Sequence, residues 1–139
     1  MRSRRTAATV LAFGLALALA GCGDEDDPTE DATQACDAEQ ELESAVDEFE
    51  QLIGPDATVG EIQQARDRIA DAVDRVEETS ADVAEDRADA VASAWDDLDS
   101  AVDDVESDDT VSDAVDSLRD EAAQVADARQ ALAEDLACS

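Results

Sequence analysis

The spacing of apolar residues after Ala35 constrains this chain more than any other feature. Leu42, Val46, Phe49 and Ile53 recur every three or four positions, the repeat of one face of an α-helix. A second stripe joins Val59, Ile62, Ile69, Val73 and Val76, and a third joins Ala88, Val91, Trp95, Leu98, Val102 and Val105. The last runs Val111, Val115, Leu118, Ala122, Val125, Arg129, Leu132 and Leu136, a repeat close to the 3.5 residues of a coiled-coil seam. The expected fold is all-α. Gly54-Pro55 stops the first helix, and Thr58-Val59-Gly60-Glu61 has the form of a capping box, in which Thr58 and Glu61 satisfy each other's free backbone donors. Ser107 to Asp109 read as a polar turn, with Thr110 capping the last helix.

Between Val76 and Ala88 the stripe slips by one residue, and Glu77 to Arg87 is thin in apolar groups. Two readings are open. The helix breaks at Thr79-Ser80, or it runs unbroken over 58–106 and changes partners at the slip. Proline and glycine are absent from Glu61 to Asp109, which favours the unbroken helix. The expected architecture over 34–139 is therefore an antiparallel bundle of three long helices, the second open to a break. Its stripes are narrow and rich in Ala and Val, so each buries little area. Like charges four apart, such as Asp82/Asp86 and Asp99/Asp103, repel one another along the solvent faces. A small, self-repelling domain of this kind calls for a staple.

The N-terminus has a different character. Arg2, Arg4 and Arg5 precede an apolar run from Val10 to Ala20, and small residues lead into Gly21-Cys22, the three-part layout of a secretory signal. Asp24 to Asp27 follow at once, so the apolar run falls short of the ~20 residues that span a bilayer. Leu19-Ala20-Gly21-Cys22 resembles the lipobox of bacterial lipoproteins. That resemblance implies cleavage after residue 21, a diacylglycerol on the Cys22 thiol and acylation of its amine, palmitate being the usual chain. Residues 1–21 are then a lipoprotein signal peptide. Two acyl chains hold a protein on a bilayer without further contacts. Residues 22–33, with six acids, Pro28 and no large apolar side chain, are expected to form a disordered acidic tether.

With Cys22 given to lipid, Cys36 and Cys138 remain. One stands at the start of the first helix and the other at the end of the last, and both bundle topologies bring these ends together. Disulfides persist in an exported chain, so a Cys36–Cys138 bond is expected to join the N- and C-terminal helices. The layout resembles small lipoproteins of high-GC Gram-positive bacteria, which also carry an acidic tether, one Cys, Ala/Val/Asp-rich helices and a last Cys. That resemblance implies no activity.

Composition narrows the function. The chain holds 39 acids against nine basic residues, a formal net charge of −30, with no His and no Tyr. All nine basic residues are arginine. Catalytic triads built on His, and dyads built on Lys, therefore have no material. Nucleic acid is not an expected partner, because phosphate must be neutralised by Lys and Arg. No catalytic residue, cofactor or metal ligand is assigned, and the chain is not expected to be an enzyme. The leading expectation is a membrane-anchored extracytoplasmic lipoprotein of structural or protein-interaction type, lying on the outer face of the bacterial cell membrane. Its partners are the membrane, through Cys22, and a helical protein or a second copy of itself. Trp95 and Arg129 are candidates to mark such a contact, Trp95 reading otherwise as core and Arg129 as snorkelling to solvent. The alternative is a surface module that binds divalent cations or cationic ligands. Asp96, Asp97, Asp99, Asp103, Asp104, Glu106, Asp108 and Asp109 would concentrate the charge.

Overall fold

The computed structural model describes residues 28–108 and 111–139. These residues fold into four helices: α1 (Pro28–Leu52), α2 (Val59–Ser80), α3 (Glu85–Asp108) and α4 (Val111–Leu136). The helices run up and down in turn, and each packs against two neighbours: α1 on α2, α2 on α3, α3 on α4, and α4 back on α1. The apolar stripes meet in one core. Leu42, Phe49, Ile69, Val76, Val91, Leu98, Leu118, Val125 and Leu132 are all removed from solvent. Among the described residues, every buried apolar side chain lies between Ala35 and Leu132, and Cys36 and Cys138 lie in the same span or close beside it. Residues 28–139 thus hold this core and its covalent closure.

The bundle has four helices, not three. The expected continuous helix over 58–106 is interrupted at Ala81–Ala84, where Val83 N–H and Ala84 N–H both donate to the Ser80 carbonyl (3.1 and 2.8 Å). Burial explains the break. A straight helix would offer each half of its stripe to one partner only. Folding back gives α2 and α3 two neighbours each and seals Val76, Ala88 and Val91 in the core. At about 25 cal/mol per Å² of apolar surface, that gain outweighs the helical bonds given up in a four-residue turn.

The start of α1 is a second correction. Residues 28–33, expected within the disordered tether, are helical. Pro28 opens the helix at a position where its missing N–H is not needed. Glu30 and Asp31 then lie in the first turn, where the helix dipole favours negative charge. Acidity that argues against a core here favours a helix start.

The α1–α2 connection follows its sequence closely. The Ile53 N–H still donates to Phe49 O (2.9 Å), and the chain then turns through Gly54-Pro55. Both halves of the capping box are present. The Glu61 N–H donates to Thr58 Oγ1 (3.3 Å), and the Thr58 N–H donates to Glu61 Oε2 (3.0 Å). The turn expected at Ser107–Asp109 and the Thr110 cap fall on 109–110, outside the described residues.

Candidate functional site

The chain's chemistry concentrates on the seam between α1 and α4. Cys36 and Cys138 are joined there by a disulfide, with Cα atoms 5.5 Å apart across 102 residues of sequence. Local geometry aims Cys138 at its partner. Helix α4 ends in a Schellman turn: the Ala137 N–H donates to Glu134 O (3.2 Å), and the Cys138 N–H donates to Ala133 O (3.0 Å). Ala137 stands at φ 55°, the left-handed conformation that glycine normally supplies. The turn swings the chain off the helix axis and onto α1.

Along the same seam, Arg129 Nη1 donates to Glu39 Oε1 and lies 3.6 Å from Glu43 Oε2. The Glu39 side chain is only 4% exposed and that of Arg129 17%, so this is a buried ion pair and not a surface one. Cys36, Glu39 and Glu43 step by three and four along one face of α1, which places the disulfide and both carboxylates in a row. At the opposite end of the seam, Arg119 Nη2 donates to the Ile53 carbonyl (3.2 Å) beside the close of α1. The α1/α4 seam is thus fastened at both ends and in between.

The other arginines tie the remaining seams. Arg68 meets Glu48 (2.7 Å) and Arg75 meets Glu41 between α1 and α2, while Arg87 meets Asp135 (2.8 Å) between α3 and α4. Arg66 of α2 bonds Asp99 and lies 3.5 Å from Asp103, both on α3. The Asp99 hydrogen bond pushes the pKa of the Arg66 guanidinium above its ordinary value. Among the described residues six arginines serve a surface with many more acids, and the structure places each of them against a carboxylate.

Of the residues singled out in the sequence, Cys36 and Cys138 are together and Cys22 lies outside the described residues. Trp95 is half-buried and packs against the core. Arg129 does not snorkel to solvent. It is held inside by Glu39, a residue the sequence did not single out. Its signal was present: Glu39 interrupts the apolar stripe of α1 as Arg129 interrupts that of α4, and opposite charges in facing stripes are a pair. In the acidic stretch, Asp99 and Asp103 face Arg66, whereas Glu106, Asp108 and Asp109 have no described side chains. Among the described residues no group of three or more acids or cysteines is arranged to hold a metal ion, and no helix is long and apolar enough to cross a membrane. The chain matches no protein-family model, no curated protein and no solved structure.

Proposed function

We propose that this chain is an exported bacterial lipoprotein, anchored to the outer face of the cell membrane through acyl chains on Cys22. Its bundle acts as a structural or protein-interaction module, without catalysis. The observation that carries the reading is the Cys36–Cys138 bond. It suits an oxidising compartment and leaves Cys22, alone of the three cysteines, for lipid. The positive n-region, the apolar run and Leu19-Ala20-Gly21-Cys22 supply the address. An anionic leaflet repels a domain this acidic, so the bundle stands off the surface on the segment that follows Cys22.

The test is expression of the full chain and of Cys22→Ala in a bacterium with lipoprotein processing, followed by fractionation and intact-mass measurement. The natural chain is expected in the membrane fraction, starting at residue 22 and heavier by a diacylglycerol. Cys22→Ala is expected to lose that mass and remain unprocessed. Full-length natural chain in the soluble fraction, without added mass, refutes the anchor.

A further inference from the structure

The joint between α2 and α3 ends a helix without any of the usual terminators. No glycine or proline follows Gly60. Ala81 keeps right-handed helical angles (φ −54°, ψ −38°). The Ala84 N–H still donates to Ser80 O at 2.8 Å, the i to i−4 bond of an unbroken helix. Ser80, the last residue of α2, has a buried hydroxyl that finds no hydrogen-bond partner among the described residues. Such an orphan costs free energy. Nothing within Ala81–Ala84 requires a turn. It is held from outside, by the α2/α3 and α1/α4 seams that close when the chain folds back.

The two hairpins either side of this joint are the better-packed units: α1 lies on α2, and α3 on α4, more extensively than either hairpin lies on the other. Straightening 81–84 turns Val59–Asp108 into one helix roughly 75 Å long and leaves both hairpins intact. It also uncovers the faces each hairpin presented to the other. The surface complementary to those faces is the opposite hairpin, and a second copy carries one.

We propose that two copies of this chain exchange hairpins across a straightened Ala81–Ala84 joint. The product is a pair of end-to-end four-helix bundles, in each of which Cys36 of one chain meets Cys138 of the other. Every contact between the two hairpins of the closed monomer, Arg129 with Glu39 included, re-forms between chains, so no new complementarity is required. Association entropy opposes the exchange. Two continuous helices, in which 81–84 regain their helical hydrogen bonds, favour it. The disulfide decides between the forms: made within one chain it locks the monomer, and reduced it frees the seam. The inference does not depend on lipid anchoring.

The experiment uses the chain from Gly23 onward, which contains every described helix and lacks the Cys22 thiol. One variant carries Cys36→Ser and the other Cys138→Ser. They are mixed at high concentration under reducing conditions and then oxidised with oxidised glutathione. For each Cys36–Cys138 bond formed, two thiols give up two electrons and two protons, and one glutathione disulfide becomes two glutathione thiols. The expected product on a non-reducing gel is a covalent heterodimer whose peptide map shows the Cys36–Cys138 linkage. Neither variant alone forms a covalent dimer, because each thiol then faces a serine. Glu85→Pro in both chains is tolerated in the closed monomer, where it stands at the first position of α3, but falls in the interior of the continuous helix and disfavours it by about a hundredfold per chain. The heterodimer constant therefore falls roughly 10,000-fold, while the closed monomer is little changed. The proposal is overturned if no heterodimer forms, if each variant dimerises alone as readily, or if Glu85→Pro leaves the yield unaltered.

Discussion

Removing the guanidinium of Arg129 is expected to be among the most damaging single changes that leave the apolar core intact. Arg129→Met keeps most of the stem that packs in the α1/α4 seam and deletes only the charge. Glu39, its side chain 4% exposed, is then left without the cation that holds it. Breaking a fully buried pair from one side costs about 3–5 kcal/mol. Arg129 is itself 17% exposed, and a shallow groove lined by Gln40 and Ser139 lies beside the pair, which gives Glu39 some room to relax. The lower end, about 3 kcal/mol, therefore applies. In a domain of this size that is roughly 12–15 °C in Tm. The companion variant Glu39→Leu/Arg129→Met replaces both partners with apolar groups of similar volume and is expected within about 1 kcal/mol of the natural chain, or above it. Urea melts followed by circular dichroism, with the disulfide intact in all chains, read both values. A loss below about 1 kcal/mol for Arg129→Met, or a double variant as weak as the single one, refutes the argument that the pair is buried and mutually dependent.

Four further outcomes are expected. Reducing Cys36–Cys138, which spans 102 residues, should lower stability by up to ~4.7 kcal/mol in the chain-entropy model, seen as a shifted urea midpoint. Ser80→Ala removes a buried hydroxyl without a partner and should stabilise by about 1 kcal/mol in the same melts; a loss would mean that the hydroxyl is satisfied. Ala137→Gly relieves a left-handed alanine and should raise stability by up to about 1 kcal/mol, provided the Schellman turn persists in amide exchange. Glu61 is held below the usual carboxylate range, first by the Thr58 hydroxyl and then by the Thr58 backbone N–H. Its folded value is depressed, so its contribution is present in full above the ordinary carboxylate value and is lost as pH falls through the folded one. Glu61→Gln should narrow the difference in α2 stability between neutral and acid pH, and an unchanged pH profile would rule out this role.

The helices were legible because a 3.6-residue period survives an unusual composition: Ala and Val mark the inner faces even where large side chains are few. The disulfide was legible too, since a four-helix up-and-down path and two shorter helices folded back along one long helix both return Cys138 to Cys36. The joint at Ala81–Ala84 was not. No residue there breaks a helix, and the turn exists because α3 and α4 have a better place to pack, which only the folded molecule expresses. The helical start at Pro28 was hidden by the acids around it, which mark solvent exposure and a favourable helix N-terminus alike. Arg129 stood out on its stripe, but its partner did not. Glu39 is one of 39 acids, and only its register on α1 distinguishes it.

The sulfur–sulfur bond also sets how the domain carries load. Tension applied between residue 28 and residue 139 enters α1, crosses from Cys36 to Cys138 and leaves through the last residue, bypassing the segment between them. The core helices sit inside a covalent ring and feel almost none of that pull. Drag on the bundle stretches only the few residues outside the ring, up to the force that ruptures a covalent bond. Reduction puts all four helices in series with the force, and the same sequence becomes an extensible strand.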